Sequence, residues 1–390
     1  MQIRSSSLAL LGGLAIFVSA CTGGGATTAP SVAPSTAPSV APSESASVAP
    51  STGSTLKIGV VTDVGTVDDK NFNQYSFEGA KKGAADIGAA VPPAVVPKDA
   101  SEYAKDIQSF IDQGFNIIVT VGFNLAADTT KAAKANPNVW FIGVDQSPIC
   151  VDATGALDTT FACKGDAATL LPKYVSLQFA EDQAGYLAGI VAAGISKKGV
   201  IGAIGGINLV PPVVRYIQGY ELGAKSVNPA IKIDVAYVSA SDFGKAFNDP
   251  ALGTTFATQF IKQNGVDVLF QVAGKTGNGV LDAACAAGIS GIGVDVDQHL
   301  SYPNADKCIV TSAEKHLSSA VEQTIKAIAA GTAKGGDNKF NAANDGIGVS
   351  GFYDKASLIS ADIQAKLDAA LAAMKAGTLT TCPATCGQAK

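Results

Sequence analysis

The chain has 390 residues, 47% of them hydrophobic, 7% aromatic and 16% charged, with a formal net charge of −5. That is enough apolar material to bury a large core, and the length suits two lobes. The acidic balance, without a cluster of Lys and Arg, argues against nucleic acid as the main partner.

Residues 1–20 place Arg4 ahead of an apolar run and end in small residues, the pattern of a secretory signal too short to span a bilayer stably. Val18-Ser19-Ala20-Cys21 resembles the lipobox of bacterial lipoproteins, in which the Cys is lipidated and becomes the new amino terminus. Cys21 is therefore the expected lipidation site of an extracytoplasmic protein anchored to the bacterial cell membrane; the alternative is an ordinary signal with an incidental Cys. Residues 21–55 carry this Cys and a tether of Pro, Ser, Ala, Thr, Val and Gly with Glu44 as its single charge, a composition that cannot form a core. Extended at roughly 3.1 Å per residue, such a tether reaches up to about 100 Å, and its Ser and Thr are candidates for O-glycosylation.

Seven cysteines in an exported chain point to disulfides, and setting Cys21 aside leaves an even number. Sequence neighbours pair as Cys150 with Cys163, Cys285 with Cys308, and Cys382 with Cys386, one of many possible connectivities. A zinc site is the weaker reading, because no CxxC pair occurs and the only histidines are His299 and His316.

Beyond the tether, strand-like and helical runs alternate, the signature of parallel sheets joined by crossover helices. Strands are expected over residues 57–62, 94–97, 116–121 and 139–144, with helices over 72–87, 101–113 and 125–135, the last stopped by Pro137. Residues 145–172 break this rhythm and read as a disulfide-closed insertion. A strand at 174–178 and a helix at 182–193 follow. The second lobe has strands at 200–204, 232–238, 266–272 and 291–294, and helices at 212–227, 254–263 and 277–286. A strand at 308–311 and a helix at 313–330 cross back to the first lobe, residues 335–351 form a third crossover, and a helix at 363–374 closes the chain. The expected division is 56–177 plus 312–334 for the N-terminal lobe and 178–311 plus 349–390 for the C-terminal lobe.

Ligands of open α/β sheets bind beyond the carboxyl ends of the strands, so strand-end loops carry the candidate site. The first runs from Asp63 to Gln74 and holds Asp69, Asn71 and Phe72, acceptors and amides beside an aromatic face. Its bland reading is a solvated turn with a buried Phe. Gly199, Gly202, Gly205 and Gly206 lack the GxGxxG spacing of a dinucleotide loop. Gly274-Lys275-Thr276 lacks the leading Gly of a phosphate-binding loop, since Leu269 stands there. Read forward, Gly274 and Gly277 instead offer a bare helix N-terminus to a polar ligand. Asp295, at another strand end, can accept neighbouring sugar hydroxyls through charged hydrogen bonds of roughly 1.5–3 kcal/mol each, or merely cap a turn. Asp128 can meet a base edge or favour a helix N-terminus, Tyr216 can supply a second aromatic face or join the core, and Lys315 can reach the cleft or stay solvated. No nucleophile accompanies these groups, so ligand capture ranks above catalysis, with no metal and no cofactor.

Five segments in order, VTDVGTVDDKNFNQYSFEGAKKG, DQAGYLAGIVAA, GAIGGINLVPPVVRYIQGYELGAKSVNP, DVLFQVAGKTGNG and GVDVDQ, closely resemble the basic membrane lipoprotein (BMP) family of ABC transporter substrate-binding proteins, typified by purine nucleoside receptor A (PnrA)-like lipoproteins. The resemblance covers nearly all of residues 57–328. It implies the type I periplasmic-binding-protein fold, two Rossmann-like lobes with three crossovers, and a monomer that delivers a nucleoside to the permease subunits of an ABC importer. It places Phe72 and Tyr216 on opposite faces of a base, Asn71 and Asp128 at its edge with Asp69 beside them, and Gly274, Gly277, Asp295 and Lys315 at the ribose. The chain departs from the family in having Asn71 for a usual Ser, Tyr216 for a usual Phe, and Lys275 for a small residue. Alternatives to a nucleoside receptor are a ribose-like sugar receptor of the same fold, an exported nucleoside hydrolase, and a surface sensor or adhesin.

Overall fold

The computed structural model describes residues 54–148 and 167–388. The signal, Cys21, the tether and the Cys150–Cys163 pair lie outside these residues. In chain order the first half runs β1 (Ile58–Thr62), α1 (Phe72–Asp86), β2 (Ala94–Val95), α2 (Tyr103–Asp112), β3 (Ile117–Val121), α3 (Ala126–Ala135), β4 (Trp140–Val144), α4 (Ala167–Leu170) and β5 (Tyr174–Phe179). Next come α5 (Glu181–Ile195), β6 (Val200–Gly205), α6 (Pro211–Val227), β7 (Lys232–Tyr237), α7 (Phe243–Asn248), α8 (Pro250–Asn264), β8 (Val268–Val272), α9 (Gly274–Ala286), β9 (Ser290–Asp295), α10 (Gln298–Ser301) and β10 (Ile309–Lys315). The chain ends with α11 (Leu317–Ala329), β11 (Gly336–Phe340), β12 (Ile347–Val349) and α12 (Ala361–Lys375).

β1, β3 and β8 are buried along their whole length, as apolar strands covered by helices on both faces must be. The strands form two six-stranded sheets ordered β11-β5-β4-β3-β1-β2 and β12-β10-β9-β8-β6-β7. Position by position the two sheets share one winding. All pairings are parallel except that of β12 with β10. The chain passes between the sheets after β5, returns through α11 to β11, and passes again to β12, giving the expected α/β fold with three crossovers.

Close helix contact sets where the site residues start. In α5 a Cβ on Gly185 would fall 2.1 Å from the Tyr216 carbonyl oxygen, and in α6 a Cβ on Gly219 would fall 2.0 Å from that of Asp182. Only bare backbone lets the two helices approach this far, which brings Glu181 at the start of α5 against Arg215 and Tyr216 in the first turns of α6.

Residues 313–315 are strand rather than the start of a helix. Ala313 and Glu314 pair with Val294 and Asp295 of β9, and residues 313–315 pair antiparallel with β12. Tertiary ladder bonds override the helical reading there, and α11 begins only at Leu317. The Cys285–Cys308 and Cys382–Cys386 disulfides are both formed. Among the described residues no helix is long and apolar enough to cross a membrane, and no His, Cys, Asp and Glu group is arranged to hold a metal.

Candidate ligand-binding cleft

The carboxyl ends of β1, β3 and β4 face those of β6, β8, β9 and β10 across a cleft of about 680 Å³, part of it open to solvent. Phe72 and Phe123 line it from the first sheet's side, and Tyr216, Phe243 and Phe247 from the second's. The lobes are drawn together around it: Asn278 Nδ2 donates to the Asp69 carbonyl at 3.2 Å, Ser301 Oγ to the Lys70 carbonyl at 2.8 Å, and Lys275 Nζ reaches Thr66 Oγ1 at 3.4 Å.

Lys315 is the centre of the cleft's charge. Its side chain, 2% exposed, leaves the end of β10 and donates to Asp145 Oδ2, with Glu181 Oε1 at 3.3 Å and Asp295 Oδ1 at 3.5 Å. Its ammonium also lies 5.3 to 5.6 Å from the ring centroids of Tyr216, Phe72 and Phe179, within cation–π range. A buried ammonium survives only with such compensation. Burial alone would lower its pKa, but the carboxylates of Asp145, Asp295 and Glu181 together outweigh burial and raise it.

The three acids respond differently. Burial pushes Asp145 up to about 7 against the pull of Lys315. Burial likewise raises Asp295, with Lys315 opposing. Glu181 is equally buried, yet Arg215, 2.6 Å away, and Lys315 outweigh burial and hold it below the usual carboxylate range.

Asp145 and Asp295 occupy equivalent places, each just at the end of the matching strand of its sheet. Both have left-handed backbone, φ +55° and +65°, a conformation that costs a non-glycine residue energy and clusters at functional sites. The strand ends share sequence: Ile142-Gly143-Val144-Asp145-Gln146 and Ile292-Gly293-Val294-Asp295, continuing to Gln298. This repeat was the signal for Asp145, which sequence reasoning instead assigned to an insertion.

Asp63 lines the cleft and accepts from the backbone N–H groups of Val64 at 2.5 Å and Asn124 at 3.4 Å, while burial raises it to about 7. Gly122 (φ +112°) gives it room, since a Cβ there would fall 2.1 Å from the carboxylate. Asp69 also lines the cleft, but its carboxylate accepts from the N–H groups of Asn71 at 2.8 Å, Asn73 at 3.0 Å and Gln74 at 3.1 Å. These are orphan donors at the start of α1, so Asp69 anchors the helix that presents Phe72. Tyr216 offers its ring while its hydroxyl lies 3.3 Å from both Asp295 Oδ1 and the Ala313 carbonyl.

The structure thus brings Asp63, Asp69, Phe72, Tyr216, Gly274, Asp295 and Lys315 to one cleft. Three expected residues stand off its wall. Asn71 is fully buried beside Phe72, and neither its amide oxygen nor its nitrogen has a partner among the described residues. Asp128 pairs with Lys131 at 3.5 Å one helical turn away on α3. Gly277 lies under Gln271, whose Oε1 would meet a Cβ at 1.6 Å. Besides Asp145, the residues that sequence reasoning passed over are Glu181, Arg215, Phe179, Phe123, Phe243 and Phe247. Arg215 stands next to Tyr216, and Glu181 one residue before the helix as it was read from sequence.

Two like-wound lobes drawn together over an aromatic and charged cleft at their facing strand ends give the type I periplasmic-binding-protein fold. Residues 56–377 match the family of PnrA-like ABC transporter substrate-binding proteins, and the chain belongs to it. It therefore takes a small-molecule ligand and works with an ABC permease. Among its relatives is the ABC transporter nucleoside-binding protein BmpA of Lactococcus lactis, 32% identical over 62% of this chain and 64% of that one, so the match spans just under two thirds of that protein's length. Basic membrane protein A1 of Borrelia garinii is 29% identical over 80% of this chain and 84% of its own. Among solved structures, an ABC transporter solute-binding protein from Aeropyrum pernix superposes with a TM-score of 0.70 at 23% identity, covering 83% of this chain and 92% of that one, which shows the shared fold.

Proposed function

We propose that this protein captures a nucleoside, of purine type, between its lobes and delivers it to an ABC importer while a lipid on Cys21 and the tether hold it at the outer face of the cell membrane. The sheets divide the chain differently from the expected lobes at two edges: residues 312–315 stay with the second sheet in β10, and residues 336–340 join the first sheet in β11. The protein acts as a receptor and performs no chemistry on the ligand. The observation that carries the reading is the pairing of one aromatic face from each lobe, Phe72 and Tyr216, with carboxylates at equivalent strand ends. A base stacks on the rings, worth about 1–3 kcal/mol per base, and ribose hydroxyls donate to Asp145 and Asp295. The relative in Lactococcus lactis that is named a nucleoside-binding protein supports the same class. Asp63, Asp145, Glu181 and Asp295 make the cleft a poor host for phosphates, so nucleosides are preferred to nucleotides.

Isothermal titration with adenosine, guanosine, inosine, uridine, ribose and adenosine monophosphate tests the reading. Heat is expected with purine nucleosides and not with the monophosphate; no heat with any nucleoside overturns it. The Asp145 and Asp295 pair by itself would also suit a ribose-like sugar, and that reading predicts equal affinity for ribose and inosine.

A further inference from the structure

The family match ends at residue 377, yet the chain folds on past it in a disulfide-closed tail whose contacts converge on the back of the cleft. Gln218 of α6, 2% exposed, is satisfied almost wholly by this tail: its Nε2 donates to the carbonyls of Thr385 at 3.3 Å and Gln388 at 3.2 Å, and its Oε1 accepts from Gly387 N–H at 2.9 Å. Thr381 is itself buried and its hydroxyl donates to Asp182 Oδ2 on α5. Gly387 lies against Arg215, where a Cβ would fall 3.3 Å from both Cγ and Nη1. Each tail contact thus falls on a member of the Glu181–Arg215–Lys315 chain, on the residue beside one, or one turn from one.

We propose that residues 378–388 are a positioning element of the binding cleft: the tail, closed by Cys382–Cys386, locks the first turns of α5 and α6 and so fixes the Glu181–Arg215 pair that holds Lys315. Glu181 and Arg215 are 2.6 Å apart, and Glu181 Oε1 faces Lys315 at 3.3 Å. An ion pair of this kind holds a third charge in place only while its own helix ends are fixed, and buried networks lose more than single contacts when one support is removed. The disulfide closes this segment into a short loop and limits its conformations. None of these tail contacts falls on a cleft-lining residue, so the tail acts on ligand indirectly.

The affinity part of the test rests on the proposed nucleoside reading; the exchange part does not. Cys382→Ser with Cys386→Ser, Gln218→Ala, Thr381→Val and Thr381→Ser are compared with the wild type by inosine titration, by thermal unfolding, and by hydrogen exchange of residues 181–187 and 211–218 without ligand. The first three are expected to weaken inosine binding about tenfold and to speed exchange in both helix starts, with unfolding temperature little changed. Thr381→Ser, which keeps the hydroxyl, should restore both readouts. If exchange and affinity match the wild type in all variants, or if only the unfolding temperature falls, the proposal is overturned. If the wild type binds no nucleoside, the functional reading fails while exchange alone still decides the role of the tail.

Discussion

Asp145 and Asp295 end equivalent strands in the two sheets, with the same left-handed backbone and the same lysine in reach, yet they do different work. Asp295 shares a sheet with Lys315, through β9 and β10, and lies near the Tyr216 hydroxyl, so its contacts stay on one side of the cleft. Asp145 meets Lys315 from the other sheet, and its remaining oxygen, Oδ1, has no hydrogen-bond partner among the described residues. One carboxylate is therefore held within the lysine's own sheet, and the other meets the same lysine from across the cleft.

The largest effect is expected from Lys315→Met, which leaves the buried carboxylates of Asp145, Glu181 and Asp295 facing one another. Breaking a buried charge network in this way costs about 3–5 kcal/mol, so unfolding temperature should fall clearly near pH 8 and ligand binding should vanish. Lowering the pH should recover part of the stability, because Asp145 and Asp295 already have raised pKa values and protonate readily.

Next in size, Asp145→Asn and Asp295→Asn separate the two carboxylates. Each removes charged hydrogen bonds of roughly 1.5–3 kcal/mol. Asp145→Asn should enlarge the ligand-free radius of gyration in small-angle scattering, while Asp295→Asn should weaken binding and leave that radius unchanged. Equal behaviour of the pair would remove the distinction between them.

Phe72→Ala should cost inosine binding about 1–3 kcal/mol by titration and leave any ribose binding nearly unaltered, since only the base stacks. A parallel loss for both ligands would favour the sugar reading.

The smallest effect concerns pH. Asp63 is raised to about 7 by burial, so its folded form retains a proton that the unfolded chain gives up near its usual value. The stability this proton brings is fully present below that usual value and is lost as pH rises through about 7. Glu181 acts in the opposite sense, because its lowered pKa brings stability that is lost only in acid. Asp63→Asn should therefore flatten the fall in unfolding temperature between mildly acidic and neutral pH relative to the wild type.

Much of the fold was legible because covered parallel strands read as unbroken apolar runs, and the helices between them kept their period. The slip at residues 313–315 arose where ladder pairing extends a strand into Ala313, Glu314 and Lys315, residues with no strand preference of their own. At the site, strand-end reasoning led to Asp63, Phe72 and Asp295. It also named Asp128 and Gly277, whose recorded contacts are with Lys131 and Gln271, because a helix that follows a strand end turns only some of its faces to the cleft. It missed Asp145, since that residue borders a cysteine-bearing stretch that disguised a strand end spelled almost like the one at Asp295. Glu181 and Arg215 were hidden for a different reason: their importance comes from α5 and α6 packing glycine to backbone, which no local pattern announces.

Titration of inosine into the wild type and into Asp145→Asn under identical conditions tests the central claim most directly. The account predicts clear binding by the wild type and an affinity at least about tenfold weaker in the variant, a change of about 1.4 kcal/mol. Equal affinities, or no binding by the wild type, would contradict it.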